Sequence, residues 1–140
     1  MADTQSSILI VDDDAEDLAS VERTLRPLGT KLVSVKDPHE VIRAVQRVRP
    51  DVVILDALLP GVPGFDLCKE IKTDPELKGT QVLIVTGVYL RQQYRQEALQ
   101  QFKADGFLTK PYRPPELLRL VVQLLSRKTR TPPSRFFKRA

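Results

Sequence analysis

Residues 51–56 read Asp-Val-Val-Ile-Leu-Asp, and this stretch decides the fold. Four consecutive aliphatic residues between two acids make a strand buried on both faces, the habit of a central strand in a parallel sheet. Before it, Asp37-Pro38-His39-Glu40 opens a helix: an Asp cap, Pro at the first helical position and Glu three after the cap. Val41, Ile42, Val45 and Val48 give that helix its core face, and Arg49-Pro50 ends it. Further back, Lys31 to Val35 alternates as a strand. Asp14 to Leu28 carries Leu18, Val21, Leu25 and Leu28 at helical spacing, with Gly29 as a stop signal. Ser7 to Val11 is a short buried strand. After the central strand, Pro60, Gly61, Pro63 and Gly64 make a loop, and Phe65 to Lys72 a short helix. Gln81 to Thr86 is a strand, Leu90 to Lys103 a polar helix with Tyr94, Ala98 and Phe102 on one side, and Gly106 to Thr109 a strand. Pro114 to Ser126 is the last helix, anchored by Leu117, Val121 and Leu124.

The rhythm is five βα units, which predicts an α/β fold: a parallel sheet with helices on both faces and right-handed crossovers. In such sheets the site lies beyond the carboxyl ends of the strands.

Composition bounds the function. The 140 residues suit one domain, and 41% hydrophobic with 29% charged residues is ordinary for a globular chain. Cys68 is the single cysteine, which excludes a disulfide framework and a multi-cysteine zinc site. It reads as a buried hydrophobe on the third helix. His39 is the single histidine and reads as solvent-facing; one histidine excludes most His-based metal sites. No apolar run approaches a membrane span, and the N-terminus lacks a basic, apolar leader; a cytoplasmic protein is the expectation. The net charge of +4 belongs to the tail: residues 127–140 hold six of the 22 Lys and Arg and no acid. A nucleic-acid reading of the body gains nothing from the basic pI.

The predicted strand ends collect chemistry. The first runs into Asp12-Asp13-Asp14, the central one into Asp56, the fourth into Thr86 and the fifth into Thr109-Lys110-Pro111. Asp14 reads as the cap of the first helix. Asp12, Asp13 and Asp56 on one edge repel one another unless a cation lies between them, and carboxylate oxygens with room for water suit Mg²⁺. Lys110 can pair with a carboxylate or an incoming phosphate. No Gly-rich phosphate loop follows the first strand, and its acids would repel a pyrophosphate, so a dinucleotide or P-loop site is disfavoured.

Residues 7–126 resemble the receiver domain of two-component response regulators, the CheY-like family. The resemblance rests on Ile-Leu-Ile-Val-Asp-Asp-Asp (8–14), on residues 52–71 from Val-Val-Ile-Leu-Asp to Lys-Glu-Ile, on Val-Leu-Ile-Val-Thr-Gly (82–87) and on Ala-Asp-Gly-Phe-Leu-Thr-Lys-Pro-Tyr (104–112). It implies a doubly wound, flavodoxin-like (βα)5 sheet of order 2-1-3-4-5. It implies that Asp56 is the phosphoacceptor, served by a histidine kinase or histidine phosphotransferase. Mg²⁺ would be held by Asp13 and Asp56 directly, by Asp12 through water and by the backbone carbonyl of Leu58. Lys110 would contact phosphoryl oxygens. Thr86 would hydrogen-bond the phosphoryl group, and Phe107 would be the switch aromatic. Output would pass through the fourth helix, fifth strand and fifth helix to a downstream protein, from a bacterial, cytoplasmic monomer or a phosphorylation-linked dimer. The chemistry implied is Mg²⁺-dependent self-phosphorylation and slow self-dephosphorylation, without an external substrate turned over as an enzyme would.

Several positions depart from the family. Gly87 follows Thr86 where Ala is frequent, and Pro63 precedes Gly64 where an acid or Ser is frequent. The spacing from Thr86 to Lys110 is longer than in many relatives, with the extra length near Val88 to Leu90. Gly106 stands where the DNA-binding subgroup that dimerises through this face often has an acid, so that dimer is not assumed. Leu58 and Val88 flank the implied path of the hydrolytic water, which predicts a long-lived phosphorylated form. Residues 1–6 read as a lead, 7–126 as the domain and 127–140 as a flexible basic tail, able to dock weakly on an acidic partner, a membrane surface or nucleic acid; no DNA-binding domain is read in the chain. Two alternatives stand beside the switch: an interaction module that works without phosphorylation, and the N-terminal receiver of a longer regulator. A Mg²⁺-dependent aspartyl phosphatase is disfavoured, because its second Asp is replaced by Leu58.

Overall fold

The computed structural model describes residues 5–87, 96 and 99–130, with side chains up to 127. Five parallel strands form the sheet: β1 (Ser7–Val11), β2 (Lys31–Val35), β3 (Val52–Asp56), β4 (Gln81–Thr86) and β5 (Gly106–Thr109). Their order is β2-β1-β3-β4-β5, the doubly wound order expected. In register, Ile10 sits beside Ile54, Ile54 beside Leu83 and Ile84 beside Phe107.

Strand periodicity builds two cores from one sheet. Leu9, Val11, Val53, Leu55, Val82 and Ile84 point to one face, which is covered by α2 (Val41–Val48) and α3 (Gly64–Thr73). Ile8, Ile10, Val52, Ile54, Leu83 and Val85 point to the other, under α1 (Ala15–Leu25) and the last helix. Every residue of β3 is buried, as its unbroken apolar run requires. Each fully buried Leu or Ile contributes about 1.5–3 kcal/mol.

The helices refine the predicted boundaries. Helix α1 stops at Leu25 and tightens into a 3-10 turn, Arg26–Leu28, because Pro27 has no N–H to continue the α pattern. Gly29 closes that turn with φ 72°. The expected second helix begins as a 3-10 turn, Pro38–Glu40: the Asp37 carboxylate accepts the His39 N–H at 2.9 Å. The predicted core position Val48 is only half-buried, and Ala44 lies inside instead. Inside the expected loop, Leu58–Leu59 and Val62–Pro63 form a small antiparallel ribbon turning at Gly61, φ 78°. Residues 99–102 are helical (α4). Most of the predicted 90–103 helix, including Tyr94 and Ala98, lies outside the described residues, as do Val88 to Leu90 and 131–140.

The last helix, α5, runs Pro114–Arg130. Residues 127–130, read from sequence as the start of a flexible tail, are therefore helical. Their Arg and Lys are good helix formers, and cations suit a helix C-terminus. At its other end, the Glu116 carboxylate accepts the Arg113 N–H at 2.7 Å, half of a capping box.

The N-terminal ends of the strands are tied together. Ser7 N–H donates to the Asp51 carboxylate at 2.9 Å, and Gln81 N–H to the Asp51 carbonyl at 3.0 Å. Val82 N–H donates to the Asp105 carboxylate at 2.8 Å. Lys72 Nζ, on α3, bonds Asp105 at 2.8 Å and the carbonyls of Thr80 and Lys78 at 2.8 and 3.0 Å. The charged groups of the sequence-predicted site lie at the opposite edge.

Candidate functional site

Strand geometry delivers the acids. Strand β1 hands its chain to Asp12 and Asp13, and β3 ends on Asp56, one strand away. Asp14 caps α1, accepting the N–H groups of Glu16 at 2.8 Å and Asp17 at 3.3 Å. Asp12 and Asp56 are buried and Asp13 is exposed; one oxygen of each lies within 4.8 Å of the others. Three hard oxygen donors at this separation fit a divalent cation such as Mg²⁺.

Each buried carboxylate is held from two sides. Asp12 Oδ1 accepts Asp14 N–H at 3.0 Å, and Asp56 Oδ1 accepts Leu58 N–H at 2.8 Å. Their Oδ2 atoms both lie 3.3 Å from Lys110 Nζ. The third partner of Lys110 is Asp17 Oδ2, nearest at 3.0 Å. An ammonium has three N–H donors, and here each finds its own carboxylate. Backbone bonding fixes the base of the lysine, whose N–H donates to the Thr86 carbonyl at 2.7 Å. The Lys110–Pro111 peptide is cis.

Three carboxylates thus share one ammonium, with Asp13 beside two of them. Burial raises the Asp12 pKa, opposed by the Asp14 N–H and by Lys110 and reinforced by the Asp56 charge. Burial alone would lower the Lys110 pKa. The hydrogen bond to Asp17 and the charges of Asp56, Asp12 and Asp17 outweigh it, so the ammonium is held more firmly than usual. Tyr112, half-buried beside Lys110, has its phenol pushed up, first by burial.

Thr86 is buried at the end of β4, in register with Thr109. Leu58 is 59% exposed just beyond Asp56. Phe107 is half-buried in β5 and stacks on Phe65 with centroids 6.3 Å apart, while Phe65 meets Phe102 at 5.0 Å. Val88 lies outside the described residues. Cys68 is buried and its thiol is pushed up to about 12, mainly by burial. His39 is exposed and pairs with Asp37.

Sequence reasoning missed Asp17 and Tyr112. Asp17 was one acid among several; the usable signal was its place in the first turn of α1, three after the cap, next to the buried Leu18. A cavity of about 300 Å³ opens between α1 and the start of α5, with Asp17, Lys110 and Tyr112 in its wall.

Compared with known families, residues 8–122 match the response regulator receiver domain. The chain belongs to that family. As a receiver domain it is similar to the DNA-binding response regulator MtrA of Mycobacterium tuberculosis, 32% identical over 127 residues that cover 86% of this chain and 50% of MtrA. Protein RcaC of Microchaete diplosiphon is 30% identical over 122 residues, 87% of this chain and 18% of RcaC. The chain spans half or less of the length of these curated relatives. The solved receiver domain of a signal transduction histidine kinase from Syntrophus aciditrophicus superposes with TM-score 0.79 at 30% identity, covering 91% of this chain and 95% of that one. The receiver is thus a phospho-acceptor module of two-component signalling. No helix among the described residues is long and apolar enough to cross a membrane.

Proposed function

We propose that this receiver takes a phosphoryl group on Asp56 from a phosphohistidine of a kinase or phosphotransferase, in a Mg²⁺-dependent step, and signals to a downstream protein. The observation that carries this is the meeting of Asp56 Oδ2 with Lys110 Nζ at 3.3 Å beside the Asp12 and Asp13 oxygens. An Asp56 oxygen attacks phosphorus: the oxygen–phosphorus bond forms as the donor's nitrogen–phosphorus bond breaks. The leaving imidazole nitrogen keeps the electron pair and takes a proton from water. Asp13 and Asp56 would hold the cation directly, with the Leu58 carbonyl, and Asp12 through water. Bound there, Mg²⁺ supplies charge neutralisation for the acids and the phosphoryl oxygens.

The chain's own groups do the rest. Lys110 turns the N–H now spent on Asp56 toward a phosphoryl oxygen. Thr86 offers its hydroxyl from the adjacent strand end. The product carries about −1.5 to −2 charges where the Asp56 carboxylate carried a single one, which draws Thr86 inward and lets Phe107 follow. Slow hydrolysis returns Asp56 and free phosphate, with no external substrate turned over. Membership of a longer regulator is the second reading, favoured by MtrA, of which this chain spans half.

The test is intact mass after incubation with a small-molecule phosphodonor, with and without Mg²⁺, beside Asp56→Asn. A phosphoryl-sized gain only in the parent with Mg²⁺ supports the reading. No gain in folded parent, from the small donor or from a kinase, overturns it in favour of a phosphorylation-independent interaction module.

A further inference from the structure

We propose that Asp17 is a positioning residue: it keeps Lys110 in the site when Asp12 and Asp56 are given over to a divalent cation. This rests on the Mg²⁺-dependent reading above. The three carboxylates around Lys110 are not equivalent. Asp12 and Asp56 belong to the trio whose oxygens cluster within 4.8 Å, whereas Asp17 stands outside it. The Asp12 and Asp56 side chains are 8% and 11% exposed, against 46% for Asp17. Asp17 also makes the shortest contact, 3.0 Å against 3.3 Å.

A divalent cation and an ammonium repel each other, and both are drawn to the same two buried carboxylates. Without another anion, the cation must push Lys110 out or bind weakly against it. Asp17 resolves the conflict because it offers the ammonium an acceptor the cation does not use. Its backbone is held independently of Lys110, since its own N–H is tied to the Asp14 cap at 3.3 Å. Half-exposed, the pair adds little to stability, so its effect belongs to the site rather than to the fold.

The test is a Mg²⁺ titration by calorimetry on the full chain: parent, Asp17→Asn, Lys110→Ala and the double variant. In the parent background, Asp17→Asn is expected to weaken Mg²⁺ binding about fivefold, within the usual range of coupling between contacting residues. With Lys110→Ala, where no ammonium competes, the same substitution is expected to change affinity by less than about twofold. An equal loss in both backgrounds would show that Asp17 acts as a ligand or a distant charge, and overturns the proposal. So does no loss in either background, or no Mg²⁺ binding by the folded parent. Phosphorylation is judged separately by mass: a parent that is phosphorylated on Asp56 while Asp17→Asn behaves additively overturns the role of Asp17 alone.

Discussion

Gly64 packs directly on the backbone of Asp56: a Cβ at position 64 would overlap the Asp56 carbonyl oxygen and lie 2.7 Å from the Ala57 Cα. Gly64 N–H also donates to the Ala57 carbonyl at 2.9 Å, so α3 starts against the peptide that carries the candidate phosphoacceptor. Backbone cannot rotate away as a side chain can. Gly64→Ala is expected to cost about 1–3 kcal/mol in urea unfolding. It should also slow phosphorylation of Asp56, read by intact mass over time. Parent-like stability would show that the loop yields.

The Lys72–Asp105 pair is mostly buried, with side chains 10% and 20% exposed at 2.8 Å. Removing one partner leaves the other short of its counter-charge. Lys72→Ala also frees the carbonyls of Thr80 and Lys78. The expected loss is about 3 kcal/mol in urea unfolding, well above that of the exposed Arg43→Ala, whose pair with Glu40 spans 3.4 Å.

Cys68 should be silent to thiol reagents in the native state. Burial pushes its thiol from 9.0 up to about 12, with the Asp105 carboxylate adding to this and Lys72 opposing it. The folded form therefore holds its proton longer than the unfolded one. Stability from this group is full below pH 9 and falls as pH rises toward 12. Labelling with a disulfide reagent at pH 8 is expected to follow global unfolding. Fast labelling under native conditions would contradict this.

Leu58 bears on lifetime. The residue is 59% exposed while its N–H holds Asp56 Oδ1, so an apolar residue stands beside the candidate phosphoacceptor. The phosphorylated form should outlast minutes, and Leu58→Asn should shorten its half-life several-fold by placing a hydrogen-bonding group for water there. A parent half-life of seconds would count against it. Phosphate release after donor removal measures both.

The strands were legible because each is a short aliphatic run bounded by charge or turn residues; β1, β2, β4 and β5 fall where Ser7, Lys31, Gln81 and Gly106 begin them. Helix ends were less so. The break at Arg26 needed Pro27 to be weighed against Leu28, whose spacing fitted the helix. The reach of α5 past Ser126 needed Arg and Lys to be read as helix formers, not as tail. Asp12, Asp13, Asp56 and Lys110 were legible because they sit at strand ends. Asp17 comes from a helix, and its meeting with Lys110 depends on the angle at which α1 returns over the sheet, which spacing does not encode.

The bonds that join Asp51, Lys72, Thr80 and Asp105 make the sheet a plate clamped along one edge. Charge added at Asp56 would load the opposite edge, as a weight loads the far end of a cantilever. Displacement should grow with distance from the clamp: least at Val82, greatest at Thr86. A signal would then be a bend confined to one rim, with both cores beneath it keeping their register while the surface offered to a partner changes shape.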